Sequence, residues 1–282
     1  MITDVAKQLR SLISSRHARV VSVVMLTLAM TAALLIPKTP VLPQDDQEAQ
    51  MGKELFDELK AKGEIVSSSP LYDNLRPIAN AITKVIQPAY QHPIHFYIVH
   101  EKQPNAFAAP GGNIYVVDSL FYFVKNAEEL AGTICHETSH LLHHDSVELM
   151  KQDQAIRRRA VAATVLLGPT TRTIVAAAVI ARLDSLHHSR AAEERADITG
   201  SDTCASARYN PWGLVWLFSD FSNADLKAPP EILSDHPNDQ HRIEALQQHF
   251  RDNPSTFASF SADPASATAL RVPTNAAEQF LR

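Results

Sequence analysis

Cysteine is nearly absent from this 282-residue chain: there are two, Cys135 and Cys204. Two thiols cannot form the framework of a disulfide-rich scaffold, and the reading is a pair of packed thiols that diverge and say nothing about compartment. An excess of positive charge is also missing. Lys and Arg number 26 against 31 Asp and Glu, for a net charge of −5 and a pI near 6.2. No basic footprint exists for nucleic acid, so no nucleic-acid partner is expected. No internal repeat is found, and long apolar runs are scarce. Val20 to Ile36 is the one run that approaches spanning length, at 17 residues without a charge, or about 25 Å as a helix. The runs 160–167 and 174–183 are too short to span, and joining them would bury Arg172.

The N-terminal run sets an expected topology. Lys7, Arg10, Arg16 and Arg19 precede it, and the cationic side stays cytoplasmic. No small-residue cleavage site follows Ile36, where Pro37-Lys38-Thr39-Pro40 intervenes, and no nearby cysteine offers lipidation. The expectation is a basic segment 1–19, a single-pass anchor 20–36, a stiff linker 37–45, a folded domain 46–251 and a loose tail 252–282. A cleaved signal with a soluble periplasmic domain is the alternative.

Against that background stand His136-Glu137-Thr138-Ser139-His140, an H-E-x-x-H pentad in the apolar stretch 130–142. On a helix, positions i and i+4 share a face, so both imidazoles can reach one ion. Glu137 projects beside it, placed to hold and deprotonate a water, the arrangement of zinc peptidases. Thirteen histidines make coincidence conceivable, but the surroundings argue otherwise. Asn126 with Glu129 reads as a capping-box variant opening a helix over 126–152. A polar pentad in a buried helix needs partners, and a metal supplies one.

A catalytic zinc takes three protein ligands. The extended H-E-x-x-H-x-x-G-x-x-H pattern fails, because its last two positions are His143 and Ser146. Glu148 lies too far along the helix, and 160–162 offers no carboxylate. The segment from Ser189 to Asp197 is the best remaining source. There Glu193 can ligate while Asp197, one turn on, orients a histidine through its other ring nitrogen. An ordinary charged helix face is the competing reading.

At this point the chain resembles the M48 (Ste24-like) zinc metallopeptidases. H-E-x-x-H and S-R-x-x-E-x-x-A-D lie about fifty residues apart. Residues 105–116 are similar to the family's N-A-F-A-x-P-G-G-x-I-Y-V segment. His144 falls where members often carry a further histidine, and His236-Pro237 with Arg242 is similar to the late H-P-x-x-x-x-R. One departure is Arg195, two residues after the ligand Glu, where relatives often carry an acid.

The resemblance implies a mainly helical, zincin-like (gluzincin) α+β domain with a small β-sheet behind an N-terminal membrane helix or signal segment. It implies one Zn2+ held by His136, His140 and Glu193, with Glu137 and His236 catalytic. Asp197, His144 and Arg242 would support the ligands. Asn105, Ala106, Phe107 and Ala108 would form an edge strand that holds substrate backbone by β-augmentation, or else an internal hairpin. The activity implied is endopeptidase action on misfolded or unassembled polypeptides of the bacterial cell envelope, with envelope assembly machinery as a partner. The enzyme would sit on the inner membrane with its domain in the periplasm. A zinc-stabilised assembly factor or chaperone with a latched site is the first rival. A multi-pass protease of lipidated C-termini is the second, and the scarcity of spanning runs counts against it.

Overall fold

Residues 44–152, 155, 188–223 and 240–273 are described by the computed structural model of the chain. The expected anchor at 20–36, the apolar runs within 160–183 and His236 lie outside them. Among the described residues no helix is long and apolar enough to cross a membrane.

Helix α1 (Gln44–Lys62) places Met51, Leu55 and Leu59 four apart, so one apolar stripe forms on a largely polar helix. The two-residue strand β1 (Ile65–Val66) and helix α2 (Tyr72–Ile86) follow; α2 buries Leu75, Ile78, Ala79, Ile82 and Ile86 at helical spacing. Strands β2 (His95–Val99), β3 (Ala106–Ala109) and β4 (Asn113–Val117) complete the sheet. Its order is β1-β2-β4-β3, with β2 and β4 parallel and the two outer strands antiparallel.

Every residue of β4 is buried, as a central strand covered on both faces requires. On one face Val99, Tyr115 and Val117 meet Leu55, Phe56 and Leu59 of α1. On the other, Ile98, Ile114 and Val116 enter the main core with α2 and the helices that follow. Those are α3 (Leu120–Phe123), α4 (Ala127–Leu142), α5 (Arg190–Ser206), α6 (Trp212–Asn223), α7 (Gln240–Asp252) and α8 (Pro254–Phe257). Mostly helical around a small mixed sheet, the domain has the expected α+β character.

Helix α4 is the centre of the packing, with all residues from Glu128 to Leu141 buried. It does not run to 152 as the sequence suggests. It stops at Leu142, His143 and His144 form a turn, and helix resumes at residue 145. His144 sits at φ 56, the left-handed region that ends helices. Its partner is remote in sequence: Glu48 of α1, fully buried, accepts a hydrogen bond from His144 Nδ1 at 2.9 Å and another from the Tyr90 hydroxyl.

Two further expectations are corrected. Cys135 of α4 and Cys204 of α5 do not diverge; a disulfide joins them, with Cα atoms 5.8 Å apart. The helices come together because Gly200 lies between them. A Cβ there would stand 3.0 Å from the Cys135 carbonyl oxygen and from His136 Cα, so a larger residue would push the two backbones apart by a few tenths of an ångström. Cys204, one turn later on the same face, is carried to Cys135.

Nor is the stretch beyond 252 loose as far as residue 273. Phe257 is buried, the Trp216 indole donates to the Ala262 carbonyl at 2.9 Å, and Thr268 donates through N–H and hydroxyl to Glu128 at 2.8 and 2.9 Å. Asn74 and Arg271 exchange two hydrogen bonds.

Candidate metal and active site

The helix that carries the pentad begins as the capping box predicts. Asn126 accepts from the Glu129 N–H at 2.9 Å, and Glu129 returns bonds to the Asn126 amide and the Lys125 N–H at 2.7 and 2.8 Å. Helix α5 begins on Ser189, whose hydroxyl accepts from the Ala192 N–H. With both N-termini fixed and Gly200 setting their separation, the two helices present His136, His140 and Glu193 to one another.

The three donor atoms form a small triangle. His136 Nε2 lies 3.1 Å from His140 Nε2, and each is 3.4 Å from one oxygen of Glu193. A tetrahedral zinc at ~2.0–2.1 Å from each donor needs donors about 3.3 Å apart. The residues present therefore fit such an ion by spacing, by burial and by their N, N, O chemistry.

Behind these three residues lie two carboxylates, of which the sequence pattern pointed to one. Asp197 Oδ1 stands 3.0 Å from His136 Nδ1. Arg242, from α7, donates to both oxygens of Asp197 at 2.7 and 2.8 Å and lies 3.0 Å from Glu193. Its guanidinium also covers the Phe218 ring at 4.4 Å. The other histidine has its own partners, not foreseen: Asp145 Oδ2 lies 3.0 Å from His140 Nδ1, and Arg195 donates to Asp145 Oδ1 at 2.6 Å. The His188 ring stacks on His140 at 3.9 Å. His144, expected near the metal, turns instead to Glu48.

The electrostatics of the cluster favour positive charge on its histidines. Burial opposes charge on His136, but Asp197 and Glu193 outweigh it and push its pKa up to about 9. His140 moves the same way, with burial overcome by Asp145 and Glu193. Burial would lift Asp197 and Asp145, yet both are held below the usual carboxylate range. Arg242 and His136 do this for Asp197, and His140 and Arg195 for Asp145. A site that draws in protons in this way is built for positive charge.

Glu137, almost wholly buried, accepts the Ala108 N–H at 2.9 Å. Strand β3 is the sheet edge beside the pentad, and Phe107 pairs inward with Tyr115 while Ala106 and Ala108 turn their peptide groups outward. That outer edge is already engaged. The Ser146 hydroxyl donates to the Ala108 carbonyl at 2.7 Å, and the Asn105 side chain accepts the Ala106 N–H at 2.8 Å.

Comparison with known proteins gives the family. A model of peptidase family M48 matches residues 73–249. The chain is 24% identical over 208 residues to a beta-barrel assembly-enhancing protease of Yersinia pestis, covering 70% of this chain and 43% of that one. It is 23% identical over 207 residues to the Escherichia coli protein of the same name, covering 70% of this chain and 42% of that one. Against mitochondrial metalloendopeptidase OMA1 of Schizosaccharomyces pombe it is 24% identical over 157 residues, covering 54% and 45%. The chain thus spans less than half the length of each of these relatives.

Proposed function

This chain belongs to peptidase family M48, and on that premise we propose that it is a zinc-dependent endopeptidase of polypeptides in the bacterial cell envelope. The observation that carries the proposal is the buried triangle of His136, His140 and Glu193 with Glu137 beside it. These three residues would hold Zn2+, which when bound supplies Lewis acidity to the scissile carbonyl and to water. Glu137 would take the proton of the attacking water and deliver it to the leaving amine. Its bond to the Ala108 N–H fixes the carboxylate against the sheet edge. Substrate backbone would lie along Ala106 and Ala108, and Ser146 would have to release the Ala108 carbonyl first. His236 is proposed to approach the site from its loop.

Support for an envelope setting comes from the Cys135–Cys204 disulfide, which persists in oxidising compartments, and from the names of the Yersinia and Escherichia relatives. Substrates would be unassembled envelope polypeptides met near assembly machinery, with residues 20–36 as anchor. The test is casein cleavage by the purified full chain. Glu137→Gln should cost on the order of 10²–10⁴ in rate with zinc content unchanged. Activity indifferent to that change removes the mechanism.

One observation favours the rival, a zinc-stabilised chaperone: Glu137 and the β3 edge are covered. A fully zinc-loaded protein that cleaves no unfolded substrate yet suppresses their aggregation would decide for it.

A further inference from the structure

Each histidine that donates Nε2 to a metal must carry its proton on Nδ1, and that proton needs an acceptor in a fixed place. His136 has Asp197, which the late Arg242 holds from α7. Resting on the metal-centre reading above, we propose that Asp145 and Arg195 are positioning residues for His140, forming a second arm that runs from α5 through the start of the 145–152 helix to the ring.

The geometry behind this is specific. On an uninterrupted helix, residues five apart point about 140° away from each other, so Asp145 could not reach the ring of His140. The break at His143 and His144 removes that restriction. It brings the carboxylate back to within 3.0 Å of Nδ1. Glu48 bonds the left-handed His144, so the path to His140 begins on α1, far from the metal ligands in sequence.

Arg195 then holds the carboxylate from the opposite side at 2.6 Å. The Asp145 side chain is only 14% exposed against 43% for Arg195, so the bond is sheltered at the end that matters to the ring. The His188 ring, stacked on the face of His140 with an interplanar angle of 11°, limits rotation about the same imidazole. Glu193 and Arg195 stand two apart on α5, so this one helix supplies a ligand, the Asp197 support of the first arm and the cation of the second.

The test measures zinc affinity by chelator competition in the full chain, beside thermal melting of the metal-free protein. Asp145→Ala should weaken zinc binding about 10- to 100-fold, Arg195→Ala by a smaller factor in the same direction, and Arg195→Lys by less than about twofold. Cobalt substitution gives a second readout: the visible band of Arg195→Ala should shift from that of the parent, reporting a changed ligand field. If Asp145→Ala does not fold, Arg195→Ala carries the decision. Variants that bind zinc as the parent does, whatever their melting temperatures, overturn the positioning role alone. A parent that takes up no zinc overturns the metal-centre reading, and this inference falls with it.

Discussion

Arg242 places one buried guanidinium between Asp197 and Glu193, with 5% of its surface exposed. Removing it leaves two buried carboxylates with only His136 as a common partner. Arg242→Met should therefore destabilise the metal-free fold by about 3–5 kcal/mol, read from denaturant unfolding; a change below experimental error would mean that solvent reaches the cluster. The raised His136 pKa gives a second expectation. Near 9 it is protonated at neutral pH, and an incoming ion must expel that proton. Zinc affinity should fall as pH falls, and calorimetry in buffers of differing ionisation heat should show protons released on zinc binding near pH 7. Binding without proton release contradicts it. At this scale the pairing of His136 with His140 was legible, because H-E-x-x-H puts both rings on one helix face. Asp145 was not legible, since its place depends on a helix break that local residues do not announce.

The pairing of α4 with α5 is where elements decide the site. Glu193, Asp197, Gly200 and Cys204 recur at i, i+4, i+7 and i+11, so all face α4. That periodicity is present in the sequence, and it runs on past Asp197 to set Cys204 on the face that meets Cys135. The bridge closes a separation of 69 residues. Cys204→Ser should cost up to about 4 kcal/mol, with a fall in melting temperature that reductant reproduces in the parent and does not deepen in the variant. The end of α4 could not be read, because the Glu48 carboxylate that holds His144 comes from 96 residues away. The sheet was accessible at one strand: the edge strand expected at 105–108 lies within a residue of β3.

For the whole molecule, the segment 252–273 is the least expected component. Its low periodicity suggested a tail, but Phe257 packs on Phe250 of α7, the Ala262 carbonyl accepts from Trp216 of α6, and Thr268 and the Arg271 backbone bond Glu128 of α4 and Asn74 of α2. Ending the chain at Arg251 should lower its melting temperature and expose Glu128 and Trp216, checked by melting and by indole fluorescence; unchanged values would show that the segment is dispensable. The filled outer rim of β3 has a bearing on life among unfolded polypeptides. An open ladder of peptide groups is a template on which sticky chains accumulate. With Ser146 and Glu137 seated on Ala108, the peptide groups of that residue are taken, and a foreign strand finds no ready seat at this point of the rim.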